Sequence, residues 1–306
     1  MYIIKHRTLF FSITGTLVGA ALLSLIFFGL KFSIDFTGGT LVQVTYHGGR
    51  PPAQALQDSL KAADFIDYSL REAGTSDYIL RSGNLSAAQR QNLPATLSVS
   101  GKYPPTIDQQ SEIGPTIGAE LRSKAILAIG TVMLCILLFI AFAFRKVSRP
   151  ISSWIYGGVA LITLIHDVII PVGFFAILGH FTDASVDTLF VTALLTVLGF
   201  SVHDTIVVFD RVRENLRLNH EKGRKEDFAE TAGRALSQTF TRSINTSLTV
   251  ALTLLVLYIY GPASTQYFAL TLLVGIIAGT YSSIFLATPL LVTIEKYRGN
   301  KTSKKK

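Results

Sequence analysis

Six long apolar stretches dominate the pattern of hydrophobic and polar positions along this chain of 306 residues. A helix that crosses the hydrocarbon core of a bilayer needs about 20 mostly apolar residues, and each stretch approaches or exceeds that length. The pattern therefore predicts a polytopic α-helical membrane protein with six transmembrane helices. The six stretches are residues 9–30, 125–144, 153–178, 188–209, 244–259 and 267–294.

One larger polar segment, residues 31–124, separates the first two stretches and is long enough for one small domain. Alternating apolar and polar positions predict strands in it, and apolar positions at helical spacing predict helices. Their order is that of a small β-α-β-β-α-β, ferredoxin-like α+β domain. The predicted strands are 40–46, 66–71, 77–81 and 106–113, and the predicted helices are 51–65 and 86–93.

The formal net charge of +8 would suit a nucleic-acid-binding protein, but the placement of the basic residues favours membrane topology. Basic residues gather before the first stretch and after the second, fourth and sixth, whereas the connections 179–187 and 261–266 contain none. Because cytoplasmic loops carry the excess of Lys and Arg, both termini are predicted to be cytoplasmic. We therefore expect no nucleic-acid partner and an extracytoplasmic domain at 31–124.

The rest of the chain divides around these elements. Residues 1–30 form the cytoplasmic N-terminus and the first span, which we interpret as a retained anchor rather than a cleaved signal peptide. Residues 125–294 form the bundle of the other five spans, with a cytoplasmic loop at 210–241, and residues 295–306 form a basic cytoplasmic tail. The single cysteine, Cys135, excludes a disulfide framework and a cysteine metal cluster, and no metal site is predicted.

The candidate chemistry lies in two aspartates, Asp167 and Asp204, deep inside the third and fourth stretches. An ionised side chain at the centre of a spanning helix costs about 2.5–3.5 kcal/mol on insertion scales, so it normally faces a cavity or a partner. Asp204 lies about 8 Å from the cytoplasmic end of its stretch, and Arg242 stands just before the fifth stretch, which starts from the same side. We predict a proton relay in which Asp204 exchanges its proton as Arg242 approaches and withdraws. A static ion pair that only locks two helices is the alternative.

Further polar residues support this relay. Asp167 is the second candidate, because Pro171 has no N–H for the carbonyl of Asp167 and so leaves an acceptor beside that carboxylate. His166 and His203 each adjoin an aspartate, and for both a structural hydrogen bond is favoured over proton transfer. On the fifth helix, polar residues at spacings of three and four are predicted to line a wet seam. They are Arg242, Asn245, Thr249 and Thr253.

The loop that follows the first span contains Asp35, Phe36, Gly38 and Gly39. Adjacent glycines allow a backbone turn that side chains would obstruct. We favour a tight turn at the membrane exit over a ligand site.

Four sequence motifs together resemble the SecF family of accessory subunits of the bacterial protein translocase, which belongs to the SecD/SecF, resistance-nodulation-division-like proteins. The motifs are IDFTGGT at 34–40, IGPTIGAEL at 113–121, GFSVHDTIVVFDRVREN at 199–215 and TRSINTS at 241–247. The chain departs from the family pattern at Ser33, where glycine is common, and in a shortened middle of the polar domain.

The resemblance implies a six-span protein of the bacterial inner membrane that pairs with SecD to form a twelve-span unit. It also implies association with the SecYEG channel, with YajC and YidC as further candidate partners. Such a protein is not an enzyme and needs no cofactor, since protons serve as the coupling ion. Driven by the proton-motive force, it promotes late steps in the translocation of exported, unfolded polypeptide.

Two other classes of protein remain open. A proton-driven exporter of small solutes would also need intramembrane carboxylates, although six spans are half of the usual twelve-span unit. A membrane-embedded metal-dependent hydrolase would use the two His-Asp pairs as ligands. Zinc hydrolases usually carry His-x-x-x-His with a catalytic glutamate on one helix, and neither pattern occurs in these spans.

Overall fold

The computed structural model describes residues 2–65, 68–145, 151–182, 184–224 and 226–303. The start of the predicted strand 66–71 and part of the basic residues, including Lys146, Arg149, Lys225 and those at 304–306, lie outside these ranges. The chain forms two compact units. The helical unit comprises Met1–Gly29, Ala128–Ile177 and Leu189–Lys306, and the α/β unit comprises Leu30–Leu127 and Leu178–Thr188.

Six helices in the described residues are long and apolar enough to cross a bilayer, which confirms the predicted fold class. The sixth is a composite helix, in which a π-helical segment at Ser283–Ala287 joins two α-helices. Taken in chain order, the α-helices are α1 Tyr2–Lys5, α2 Arg7–Phe28, α3 Ile34–Thr37, α4 Ala53–Ala62, α5 Ala87–Leu97, α6 Pro115–Ala143, α7 Ser153–Phe181, α8 Thr188–Glu221, α9 Phe228–Tyr260, α10 Ala263–Ser282 and α11 Thr288–Ser303. The six spans are α2, α6, α7, α8, α9 and the composite helix Thr265–Arg298.

An aromatic cluster packs the second, third and fourth spans together within the helical unit. The rings of Phe144, Tyr156 and Phe209 are all buried, and the centroid of Tyr156 lies 5.2 Å from each of the other two. Aromatic pairs at such distances contribute about 0.5–1.5 kcal/mol beyond the area that they bury. The cluster therefore packs α8 against its neighbours at Phe209, on the C-terminal side of Asp204.

Two glycines bring the sixth span close to the fourth. A Cβ atom on Gly275 would come within 2.3 Å of Val197, and one on Gly279 would come within 2.9 Å of the Cβ of Ser201. Small residues allow such close approach of helices in a membrane. By contrast, nothing in the described residues lies within 4 Å of the corresponding positions at Gly15 and Gly19.

The segment 210–241, predicted as the cytoplasmic connection between the fourth and fifth spans, is mostly helical. Helix α8 continues to Glu221 and α9 begins at Phe228, so the connection between them is short. Beyond the apolar run of α8, the buried residues Val212, Asn215 and Asn219 recur at spacings of three and four. The helix therefore keeps a packed face after its composition turns polar, and it ends near Gly223, whose φ is +64°.

A polar network holds this short connection. Glu226 accepts hydrogen bonds from Asn219 at 2.6 Å and Thr231 at 3.0 Å, and its carboxylate lies 2.7 Å from Arg234. Desolvation by burial opposes ionisation of Glu226. The two hydrogen bonds and the charges of Arg234 and Arg224 outweigh that effect, and the pKa of Glu226 is lowered.

The α/β unit contains the predicted β-α-β-β-α-β order. Its strands form one antiparallel sheet in the order β2-β3-β1-β4, with β1 in register from Thr40 against Ser82 to Thr45 against Asp77. The strands are β1 Gly39–Thr45, β2 Ser69–Ala73, β3 Asp77–Ser82 and β4 Thr106–Ile113.

Helices α4 and α5 supply the apolar core of the α/β unit. Leu56 and Leu60 of α4, together with Leu93 and Leu97 of α5, are buried in one cluster with alternate residues of β1 and β3. A capping box at Ser86, whose side chain accepts from the N–H of Gln89, starts α5 where the sequence predicted it. The helix then extends four residues past the predicted end at 93.

Candidate functional site

Asp204 is buried in the helical unit and held by two serine hydroxyls. Its side chain lies on α8, where the residue is 8% exposed. Ser243 of α9 donates to Oδ1 at 2.5 Å, and Ser283 of the sixth span donates to Oδ2 at 2.8 Å. Hydrogen bonds to a carboxylate stabilise its ionised form. The carboxylate therefore has two hydrogen-bond donors in a place where lipid would offer none.

Asp167 of α7 is more deeply buried, with 0% exposure, and is held in a similar way. Ser282 donates to Oδ2 at 2.9 Å, and Ser201 of α8 donates to the same oxygen. The Nδ1 atom of His166 lies 2.8 Å from Oδ1. The third, fourth and sixth spans thus meet at this carboxylate.

The sixth span contacts both carboxylates through consecutive residues. Side chains one residue apart on an α-helix point about 100° away from each other, so Ser282 and Ser283 reach different neighbours. The π-helical segment Ser283–Ala287 begins at the second of these serines. Single-turn π-helical segments are rare and occur frequently at functional sites. The π-helical segment therefore begins where Ser282 and Ser283 of the sixth span contact the two carboxylates.

Arg242 does not pair with Asp204 in this structure. Within the described part of the chain, its side chain is exposed and forms no ion pair with that carboxylate. Helix α9 turns Ser243 and Ser247 towards the neighbouring helices instead. Arg242, the expected relay partner of Asp204, therefore lies about 100° around the helix from Ser243. Its participation stays a prediction.

The rest of the predicted polar stripe on α9 is exposed as well. Asn245, Thr249 and Thr253 face away from the helical unit. The hydroxyl of Thr249 donates to the carbonyl of Thr246 at 2.8 Å, and that of Thr253 donates to the carbonyl of Thr249 at 3.0 Å. The stripe does not line a seam among the described spans of this chain.

The two histidines differ in their surroundings. His166 is 4% exposed, bonds to the adjacent Asp167 and stacks on Tyr281 at a centroid distance of 6.2 Å. Its Nε2 atom is buried and has no hydrogen-bond partner among the described residues. His203 is exposed beside Asp204. The two His-Asp pairs received the same interpretation from the sequence, whereas the structure shows a hydrogen bond between His166 and Asp167.

Sequence reasoning missed the four serines that hold the carboxylates. Serine is common in membrane helices and gives a weak signal by itself. A useful signal was present in the spacing of Ser243 and Ser247, four residues apart, which predicts a second polar face on α9. The serines that donate to the carboxylates are Ser201, Ser243, Ser282 and Ser283.

The loop from Asp35 to Gly39 forms a close turn inside the α/β unit. Phe36 is buried, and Oδ2 of Asp35 accepts from the N–H of Thr188 at 2.9 Å and from its hydroxyl at 3.0 Å. Gly38 has a φ of +80°, and a Cβ on it would lie 2.8 Å from the Cα of Pro115. Backbone sterics therefore account for Gly38, while Asp35 binds the first residue of α8.

No three His, Cys, Asp or Glu side chains come together as metal ligands in the described ranges. The serines and the two carboxylates instead form a hydrogen-bonded network among the spanning helices.

Comparison with protein-family models assigns most of the chain. Residues 97–297 match the model described as "Protein export membrane protein SecD/SecF, C-terminal", and residues 23–48 match the "SecD/SecF GG Motif". The chain belongs to the SecD/SecF family. The second SecD/SecF match contains the turn from Asp35 to Gly39, and the first contains both buried carboxylates.

Curated SecD/SecF relatives narrow the assignment to the SecF subunit of the protein translocase. The protein translocase subunit SecF of Thermobaculum terrenum is 39% identical over 281 residues, which cover 87% of this chain and 85% of that protein. That of Anaerolinea thermophila is 38% identical over 269 residues, with the same coverage of both chains.

Two solved structures of SecDF share the fold. A crystal structure of SecDF from Thermus thermophilus, described as a translocon-associated membrane protein, matches with a TM-score of 0.83 and 30% identity. The match covers 97% of this chain and 39% of that longer one. SecDF in a super-membrane-facing form is 29% identical and has a TM-score of 0.66 over 98% of this chain.

Proposed function

We propose that this chain is the SecF subunit of a bacterial protein-export machinery and uses the proton-motive force to promote late steps of polypeptide translocation. The coupling ion is the proton, and the intramembrane relay consists of Asp204, Arg242 and Asp167. The observation that carries this proposal is the pair of buried carboxylates, each held by two serine hydroxyls, inside spanning helices. Ionisable groups in such positions mark proton and ion pathways.

Protons supply enough free energy for this role. One elementary charge that crosses a potential of 100 mV releases about 2.3 kcal/mol. A few protons therefore shift a conformational equilibrium of a few kcal/mol from one state to the other. Solved SecDF structures include a separately described super-membrane-facing form, which supports a change of shape as the output of the relay.

The exposed stripe on α9 supports a partner in the membrane. A guanidinium at the centre of a spanning helix costs about 2.5–3.5 kcal/mol on insertion scales, and Arg242, at the edge of the fifth apolar stretch, would meet part of that cost if lipid covered it. A second six-span subunit with polar residues on its facing helix would remove it. We propose SecD as this partner, in a twelve-span unit, because the matching solved structures are SecDF chains of which this chain covers 39%.

The same assignment implies an orientation and further partners. The excess of Lys and Arg near both termini supports cytoplasmic termini, an inner-membrane location and an extracytoplasmic α/β unit. The SecYEG channel and the exported unfolded polypeptide are the expected partners of a translocase subunit, with YajC and YidC as further candidates. The small-solute exporter and the metal-dependent hydrolase have no specific observation in their favour.

The test follows export into inverted membrane vesicles with and without an imposed proton gradient. We expect Asp204→Asn and, separately, Arg242→Met to reduce proton-stimulated export to the level seen without a gradient. Asp210→Asn is the matched control, because Asp210 lies on the same helix but is exposed and only 3.7 Å from Arg213. Proton-stimulated export that persists in both variants would overturn the relay.

A further inference from the structure

Each serine of the consecutive pair in the sixth span has two acceptors within hydrogen-bond distance. Ser282 lies 2.9 Å from Oδ2 of Asp167 and 3.1 Å from the carbonyl oxygen of Gly279. Ser283 lies 2.8 Å from Oδ2 of Asp204 and 2.5 Å from the same carbonyl oxygen. A hydroxyl has one proton to donate. Each serine must therefore favour either its carboxylate or the carbonyl of Gly279.

The carbonyl of Gly279 has more donors nearby than it can accept. The backbone N–H of Ser283 already donates to it, in a bond shared with the carbonyl of Thr280. A carbonyl oxygen has two lone pairs, and three donors compete for them here. Gly279 therefore has room for one serine hydroxyl in addition to this N–H, and not for both.

We propose that Ser282, Ser283 and the carbonyl of Gly279 couple Asp167 and Asp204, so that a proton on one carboxylate disfavours a proton on the other. This inference deepens the proposed function, on which it rests for its role in coupling. When a carboxylate binds a proton, its new O–H donates to the serine oxygen, and the hydroxyl proton of that serine turns to Gly279. Once one serine occupies Gly279, the other goes on donating to its carboxyl group. Because a hydroxyl binds an ionised carboxylate more strongly than a neutral carboxyl group, binding of a second proton is disfavoured.

Electrostatics disfavours the opposite extreme, in which both carboxylates are ionised. Two negative charges would then be buried on carboxylates that are held by adjacent serines of the sixth span. Among the described residues, the titratable groups next to the pair are His166, bonded to Asp167, and Tyr281, stacked on His166. Arg242 and His203 adjoin the pair in sequence but are exposed. No cation other than a protonated His166 contacts the carboxylates within the described ranges.

The two effects together favour a state with one proton on the pair. The proton then resides on Asp167 or on Asp204, and its position decides which serine turns to Gly279. Because Ser283 is the first residue of the π-helical segment, the exchange takes place where the helix departs from regular geometry. Ser282 and Ser283 are thus positioning residues for the relay.

The test measures how much one carboxyl group affects proton binding by the other. Isotope-edited infrared spectroscopy of the full chain in phospholipid vesicles records the titration of the Asp204 carboxyl in the wild type and in Asp167→Asn. The asparagine is a neutral stand-in for protonated Asp167, and its amide N–H donates to Ser282. We expect Asp167→Asn to weaken proton binding by Asp204. In a Ser283→Ala background that effect should be about tenfold smaller, because one charged hydrogen bond no longer responds.

Ser243→Ala is the matched control, since Ser243 also donates to Asp204 but does not contact Gly279. The effect of Asp167→Asn should persist in this background, and Ser283→Thr, which keeps the hydroxyl, should restore it. The reciprocal measurement follows Asp167 in Asp204→Asn, with Ser282→Ala compared with Ser201→Ala. It provides the same comparison if Ser283→Ala does not fold.

Equal effects in the Ser283→Ala and Ser243→Ala backgrounds, or in the reciprocal pair, would overturn the inference. The proposed function would then stand if export remains proton-driven. Conversely, coupled titration without proton-stimulated export would support the serine exchange and remove the proposed function.

Discussion

The substitution Gly39→Ala tests how the turn before β1 limits the chain. Gly39 has a φ of +139°, and a Cβ on it would lie 2.4 Å from the backbone oxygen of Ser82 and 2.8 Å from Cγ2 of Ile34. Since the closest atom belongs to the backbone of β3, a change of rotamer cannot relieve the clash. The pairing of Thr40 with Ser82, where β1 and β3 begin their register, must open instead.

The destabilisation expected from Gly39→Ala has two parts. A residue other than glycine in a sparsely populated backbone region costs of order 1–3 kcal/mol. Overpacking in a fixed environment adds typically 1–3 kcal/mol. We therefore expect Gly39→Ala to destabilise the α/β unit by roughly 2–6 kcal/mol, a large share of the 5–15 kcal/mol typical of a whole domain.

Hydrogen exchange of β1 and β3 in the full chain, followed by mass spectrometry, measures this effect. Gly83→Ala is the matched control, because Gly83 follows Ser82 directly, has no positive φ and would place its Cβ in open space. We expect faster exchange throughout both strands in Gly39→Ala and unchanged exchange in Gly83→Ala. Wild-type exchange in Gly39→Ala would refute the steric argument.

Three further substitutions test local features. Asp35→Ala should destabilise the start of α8 by about 1 kcal/mol, since the N–H and hydroxyl of Thr188 lose their acceptor; unchanged exchange at that helix end would contradict this. Glu226→Gln should lower the free energy of unfolding by about 1 kcal/mol at neutral pH. The folded pKa of Glu226 is lowered, so the difference in stability between this variant and the wild type should be full above about pH 4.5 and vanish as the pH falls through the folded pKa. A stability difference that does not change with pH would refute the stabilising role of the ionised Glu226. Tyr46→Phe should cost about 1–3 kcal/mol in denaturant unfolding, because the buried carbonyl of Leu97 loses the hydroxyl that lies 2.8 Å away; unaltered stability would show that water replaces it.

Hydrophobic periodicity predicted the fold well because each element buries a continuous apolar face. The spans and the order of strands and helices in the α/β unit follow from this pattern alone. It did not indicate how far α8 and α9 continue into the polar segment 210–241. Val212 and Phe228 are buried there among mostly polar residues. Mean hydropathy over a window does not detect such isolated buried positions, because the polar neighbours dominate the average.

Of the candidate site, the sequence predicted the two carboxylates but not the serines that bind them. Asp167 and Asp204 stand out because charge is costly inside an apolar stretch. Which residues meet them depends on the rotation of neighbouring helices, and a single helix pattern does not fix that rotation. On α9, Arg242 was the conspicuous choice, yet its neighbour Ser243 faces Asp204. In the sixth span, the π-helical segment shifts the facing residues beyond Ser283, so regular helical spacing does not extend across it.

Helix α9 has polar groups on two faces, and this arrangement connects the buried site to the surface of the chain. Ser243 binds Asp204 on the inner face, while Arg242 lies exposed about 100° around the helix. If Arg242 is to pair with Asp204 during the proton cycle, α9 must rotate or shift against α8, and Ser243 must leave the carboxylate as the guanidinium arrives. Such an exchange replaces a neutral donor with a cation, so it favours loss of the proton from Asp204. Under the proposed function, a partner that contacts the exposed face of α9 would move with the same helix, so that a proton bound inside this chain would change the position of a second subunit.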